Sequence, residues 1–264
     1  FCLPNARKNL KPLTAALYLT GRNCRLVKSG HALPWNGMPE IINDLTSLAS
    51  QVFERLIGLF GLPEWREPLP ALDELISTIL SQNTNDRNRD VAFNRLRSAL
   101  PAWEAVRDAP LGKVIDAIRP AGLANQKGAR IQQVLRQITE ERGSLDLDFL
   151  KAMNADDAHA WLMKFKGVGP KTAAIVLQFS LDKPAFPVDT HVYRVSGRIG
   201  LRPEVMTVEQ AHPHLAGLFL PEQYGPAHLN LIRLGREICH PRKPECGRCP
   251  LNDICRYYRE TGGL

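Results

Sequence analysis

Four cysteines and one lysine–aspartate pair are the residues of this 264-residue chain whose types and spacing could do chemistry. Cys239, Cys246, Cys249 and Cys255 crowd into 17 residues with the spacing Cys-x6-Cys-x2-Cys-x5-Cys. Four thiolates can hold either tetrahedral zinc or a 4Fe–4S cluster. A zinc ribbon shows two close pairs separated by a long arm. A single close pair within one short loop wraps a larger object more naturally. With either metal the expected role is structural. His240, Arg242, Lys243 and Arg248 lie in the same loop, where a pinned backbone could hold their charges toward a phosphate chain.

Lys171 and Asp189 form the candidate reactive pair. Lys171 stands in the run Lys166-Gly167-Val168-Gly169-Pro170-Lys171-Thr172, which continues into apolar helix formers. Proline is favoured at the first position of a helix, so the spacing predicts a turn at 167–169 and a helix from Pro170. The glycines let backbone N–H groups approach a ligand closely. The helix start adds free donors and a positive dipole end, which suits a phosphate. That end also disfavours a Lys171 ammonium, and burial would do so more strongly; a neutral amine is what a Schiff-base nucleophile needs. Asp189 in Pro187-Val188-Asp189-Thr190-His191 is a natural helix N-cap. An ionised carboxylate there could stabilise a positive sugar or assist proton transfer. Taken singly, the lysine would be a surface residue and the aspartate a plain cap.

The elements that must position these groups are helical. Apolar residues recur at helical spacing in 42–61, 72–80, 91–100, 129–141, 158–165, 170–180, 190–199, 207–219 and 227–238. No alternating strand pattern of useful length and no internal repeat appears. The expected fold class is all-α, with about ten helices. Ser81 to Asp86 reads as a polar connector and Ala121 to Lys127 as a loop with Leu123 exposed. No apolar run approaches the roughly 18 residues of a membrane span. The chain carries a formal charge of +7, and residues 1–39 supply six lysines and arginines and no acid. Residues 1–40 are expected to be a basic, flexible extension, and the basic balance of the chain favours an anionic partner such as nucleic acid. Cys2 and Cys24 lie within the extension. The cysteine usage of so large a chain favours a reducing compartment and a metal site over disulfides.

The motifs Gly-Val-Gly-Pro-Lys-Thr, Pro-Val-Asp-Thr-His and the cysteine spacing together resemble the endonuclease III family of the helix-hairpin-helix, Gly/Pro-Asp DNA glycosylases. The resemblance covers roughly 42–264. It implies a monomeric two-domain α fold: a six-helix barrel at 71–199, and a domain joining 42–70 to 200–264 that carries a 4Fe–4S cluster on the four cysteines. Double-stranded DNA would lie between them, with the damaged nucleotide flipped out. By position, Lys171 matches the nucleophile that attacks the sugar C1′, and Asp189 the essential carboxylate. Lys166, Gly167, Val168 and Gly169 match the phosphate-gripping hairpin, and Leu123 the apolar wedge. The residue that fills the gap left by the flipped base would be Asn83, or Gln82 just before it. Arg242 and Lys243 are expected at the DNA backbone.

The implied activity is that of a bifunctional glycosylase and AP lyase removing oxidised pyrimidines, acting in a nucleoid, nucleus or organelle according to the source. Three alternatives stand beside it: a monofunctional mismatch glycosylase, a 5-methylcytosine glycosylase, and a non-catalytic iron–sulfur DNA-binding protein. Relatives that excise mismatched adenine carry a glutamate where this chain has Thr78, which argues against that branch.

Overall fold

A computed structural model describes residues 38–64 and 67–262; the expectations for the basic extension and for Cys2 and Cys24 fall outside them. Among the described residues there are twelve α-helices, a few short 3-10 turns and no strand. Two hydrophobic cores organise them.

The first core is built by seven consecutive helices: α2 (Ala71–Ser81), α3 (Asp86–Ala99), α4 (Trp103–Asp108), α5 (Leu111–Ile118), α6 (Ala124–Arg142), α7 (Ala155–Met163) and α8 (Pro170–Ser180). Helix α2 lies at its centre, with Leu72, Leu75, Ile76, Ile79 and Leu80 all buried, and packs along α8. The second core joins α1 (Met38–Phe60) to α9 (Thr190–Ile199), α10 (Val208–Ala216) and α11 (Tyr224–Glu237), and the short α12 (Arg256–Thr261) lies against α9 without a buried residue of its own. There Ala49, Val52 and Leu56 of α1 share one buried cluster with Val192, Val195 and Ile199 of α9 and Leu231 and Leu234 of α11.

The two cores divide at Ala185–Phe186, not after Ile199. Phe186 stacks on Phe219, with ring centroids 5.2 Å apart, and the apolar face of α9 turns toward α11. Helix α9 therefore belongs with the second core, and the boundary read from the sequence moves upstream.

Two loops of the sequence reading are also shorter than expected. Helix α3 begins at Asp86 because the Asn85 side chain caps it, accepting from Asn88 N–H at 2.8 Å. Helix α6 begins at Ala124, within the stretch expected to be a loop. Its first turn is polar and carries no apolar periodicity, so the pattern alone could not show it.

Candidate DNA-processing site

Pro170 and Lys171 are the first two residues of α8, with Gly169 as an extended N-cap that has no side chain to offer. The first N–H groups of that helix have no intrahelical acceptor. Gly167 holds φ +85°, the left-handed region glycine tolerates, and Val168 N–H closes the turn on Phe165 O at 3.0 Å. The Val168 side chain is buried in the first core and anchors the hairpin from below. Lys166 is exposed beside it and Lys171 is half-buried.

Asp189 caps α9: its Oδ1 accepts from Val192 N–H at 2.8 Å. The segment leading to it is held by two buried histidines. His212 on α10 meets Phe186 O at 3.0 Å, and His228 on α11 meets Pro187 O at 2.8 Å, both through Nδ1. His228 is 2% exposed. Burial pushes its imidazole down to about 4; the Asp189 charge opposes that shift and the Lys171 charge adds to it.

Asp86 is a further member that sequence reasoning missed. It pairs with Arg236 of α11 at 2.9 Å and so ties the start of α3, in the first core, to the second. Burial alone would raise its carboxyl, but the Arg236 hydrogen bond and the charges of Arg236, Arg89 and Lys171 outweigh it and hold the group below the ordinary carboxylate range.

The loop after α2 separates the roles of Gln82 and Asn83. Gln82 uses both ends of its amide: Nε2 donates to Gly167 O at 3.0 Å, and Oε1 accepts from Arg130 Nη1 at 2.6 Å. It is committed to the hairpin. Asn83 is exposed, with a left-handed φ of 52°. Leu123 is also left-handed, φ 48°, and is 50% exposed at the N-cap of α6. That conformation is sterically costly for a leucine, and the exposed side chain is not used for packing.

The four cysteines line one cavity, whose other walls include Val195, Leu234, Ile238, Leu251 and Tyr257. Burial pushes the thiols of Cys246 and Cys255 up, and that of Cys249 to about 11. Thiols so placed ionise only where a metal group takes up the charge. Four sulfurs lining one largely apolar cavity fit the donor set of a 4Fe–4S cluster. Helix α9 pins the loop. Arg194 donates to Gly235 O and Cys239 O, and Arg198 to His240 O, Pro241 O and, at 3.4 Å, Cys239 Sγ. One helix therefore carries Asp189 at its start and the cysteine loop at its end. In that loop Arg242 and Lys243 are exposed, whereas Arg248 is paired with Glu245 at 2.5 Å. Among the described residues no helix is long and apolar enough to cross a membrane.

Residues 76–219 match the family model described as HhH-GPD superfamily base excision DNA repair protein, and residues 239–255 match that of the iron–sulfur binding domain of endonuclease III. The chain is 36% identical to endonuclease III of Thermotoga maritima, over 71% of this chain and 84% of that one. It is 30% identical to the DNA glycosylase/AP lyase ROS1 of Arabidopsis thaliana over 59% of this chain, which is 12% of that much longer protein. The fold superposes on a non-covalent endonuclease III–DNA complex with a TM-score of 0.71 at 25% identity, covering 83% of this chain and 99% of that one.

Proposed function

The chain belongs to the endonuclease III family of the HhH-GPD base excision DNA repair superfamily, and from that premise we propose that it removes oxidised pyrimidines from double-stranded DNA and cuts the strand through a Schiff base on Lys171. It is a DNA glycosylase of the endonuclease III type with an iron–sulfur loop. The observation that carries the finer reading is the placement of the pair: an amine at the start of α8 and, at the start of α9, a carboxylate fixed by its bond to Val192 N–H.

The hairpin N–H groups and the start of α8 hold a phosphate of the damaged strand. Leu123 enters the stack and Asn83 fills the space left by the extruded base, while Gln82 braces the loop against the hairpin. Lys171 Nζ forms a bond to the sugar C1′ as the bond from C1′ to the base breaks; the base leaves with the electron pair and takes up a proton. Asp189 stabilises the positive charge that develops on the sugar. The amine loses a proton and the ring opens to an iminium on C1′. That iminium acidifies the C2′ proton. Its removal forms a C2′–C3′ double bond and expels the 3′-phosphate, cutting the strand 3′ to the lesion. Water then hydrolyses the imine and returns Lys171. Cys239, Cys246, Cys249 and Cys255 would hold the cluster, which would give a rigid anchor to the loop that presents Arg242 and Lys243 to the DNA backbone.

Base release and strand cleavage are measured on duplexes carrying thymine glycol. The expected result is both products from the wild-type chain and neither from Lys171→Gln. Base release without cleavage by the wild-type protein would contradict the lyase. The likeness to ROS1 favours one second reading, 5-methylcytosine as the base. It predicts release from a methylated duplex in preference to thymine glycol.

A further inference from the structure

Lys127 is the most deeply buried cation of the described residues, 2% exposed, although lysine is almost never buried without a partner. Burial of an ammonium is tolerated only when its donors are taken up. Here Nζ donates to Leu80 O at 2.8 Å and to Ala121 O at 2.7 Å. Both acceptors lie at helix ends: Leu80 in the last turn of α2, Ala121 at the close of the 3-10 turn Arg119–Ala121. Carbonyls there lack helical partners and carry negative partial charge.

The two carbonyls are neighbours of the two tips described above. Asn83 follows Leu80 by three residues and Leu123 follows Ala121 by two, and both tips are exposed non-glycine residues in the left-handed region. Such conformations persist only where the surroundings over-determine them. Lys127 also holds the second tip through its own backbone, its N–H bonding Leu123 O at 2.9 Å. One turn along α6, Arg130 reaches the same loop through Gln82.

We propose that Lys127 is a positioning residue that fixes Asn83 and Leu123 in one frame, so that gap filling and wedging occur as a single insertion. The proposal rests on the reading of these two residues as DNA-entering tips. It assigns Lys127 no contact with DNA and no part in bond breaking.

The test uses the full chain with its cluster and a duplex carrying a tetrahydrofuran abasic analogue opposite 2-aminopurine, whose fluorescence rises on unstacking. No bond is broken, so the readout is independent of the Lys171 chemistry. Lys127→Met keeps the apolar stem and removes the donors. We expect it to bind with an unchanged salt slope, since no phosphate contact is lost. The inserted, fluorescent population should fall by about tenfold or more, the scale of one to two buried hydrogen bonds. A wild-type rise in Lys127→Met would overturn the proposal.

A second measurement applies even if that variant does not fold. In the wild-type background Asn83→Ala, Leu123→Ala and the double variant are compared. Tips held in one frame should leave the double variant within about twofold of the worse single variant, whereas independent tips multiply their losses and would refute the coupling. A wild-type insertion signal without processing of any damaged duplex would count against the proposed reaction and leave Lys127's role standing.

Discussion

Replacing Asp189 by asparagine and by alanine separates the two roles that the geometry gives it. Its Oδ1 accepts from Val192 N–H at 2.8 Å and caps α9, the helix that also pins the cysteine loop. Asparagine caps helices as well as aspartate does, while alanine forfeits about 1 kcal/mol. Asp189→Asn should therefore keep its stability within about 0.5 kcal/mol of wild type, and Asp189→Ala should lose about 1 kcal/mol or slightly more. Activity should sort differently. Asparagine has no charge to set against a cationic sugar, and removing one preorganised electrostatic group costs about 10²–10³ in rate. Both variants should fall by that order. Stability is read from urea unfolding with the cluster's visible absorbance as a second probe, and rate from single-turnover base release. An asparagine variant as unstable as the alanine variant would refute the cap, and one with wild-type turnover would refute the electrostatic role.

Three further predictions follow from the same framework. In Gly167→Ala the added Cβ would lie 2.1 Å from Arg130 Nε at a φ of +85°, so Arg130 must leave and release Gln82; DNA affinity should drop along with about 1–2 kcal/mol of stability from the left-handed strain alone, read by titration and urea unfolding. The second concerns pH. His228 takes a proton near 6.5 when unfolded but only at about 4 when folded, because burial and then Lys171 oppose its charge while Asp189 partly offsets them. Its contribution is therefore complete above pH 6.5 and lost as pH falls toward 4, about 3 kcal/mol in all. His228→Asn, which keeps an N–H for Pro187 O, should flatten that part of the stability–pH curve, and an unaltered curve would show that the ring titrates normally. Third, Cys249→Ser should lose the cluster's absorbance and lower the thermal midpoint, since metal binding free energy is also folding free energy.

The cysteine loop, the hairpin and the Asp189 cap were legible because each is a short local pattern: fixed Cys spacing, glycines before Pro170, and an N-cap aspartate before a helical stripe. The all-α class followed from apolar periodicity. What stayed hidden depends on contacts between segments distant in the chain. Asp86 and Arg236 are 150 residues apart, and nothing in either neighbourhood marks them as partners. Lys127 did leave a trace, for it occupies the apolar stripe of α6 one turn before Ile131, and a lysine on a buried stripe needs acceptors. His228 likewise sits one turn before Leu231 on the buried face of α11. The separate duties of Gln82 and Asn83 could not be read from adjacent residues of similar chemistry; only the bonds to Gly167 and Arg130 distinguish them. The boundary drawn after Ile199 failed because apolar periodicity shows that a helix has a buried face and is silent about which core receives it.

The most direct test of the Lys171 chemistry is borohydride trapping on duplex DNA carrying thymine glycol, with a preformed abasic duplex alongside and the adduct mapped by peptide mass. A covalent adduct at Lys171 on both duplexes is the predicted result. An adduct on the abasic duplex alone would keep the lyase and move the base toward 5-methylcytosine, and no adduct on either would contradict a Schiff base at Lys171.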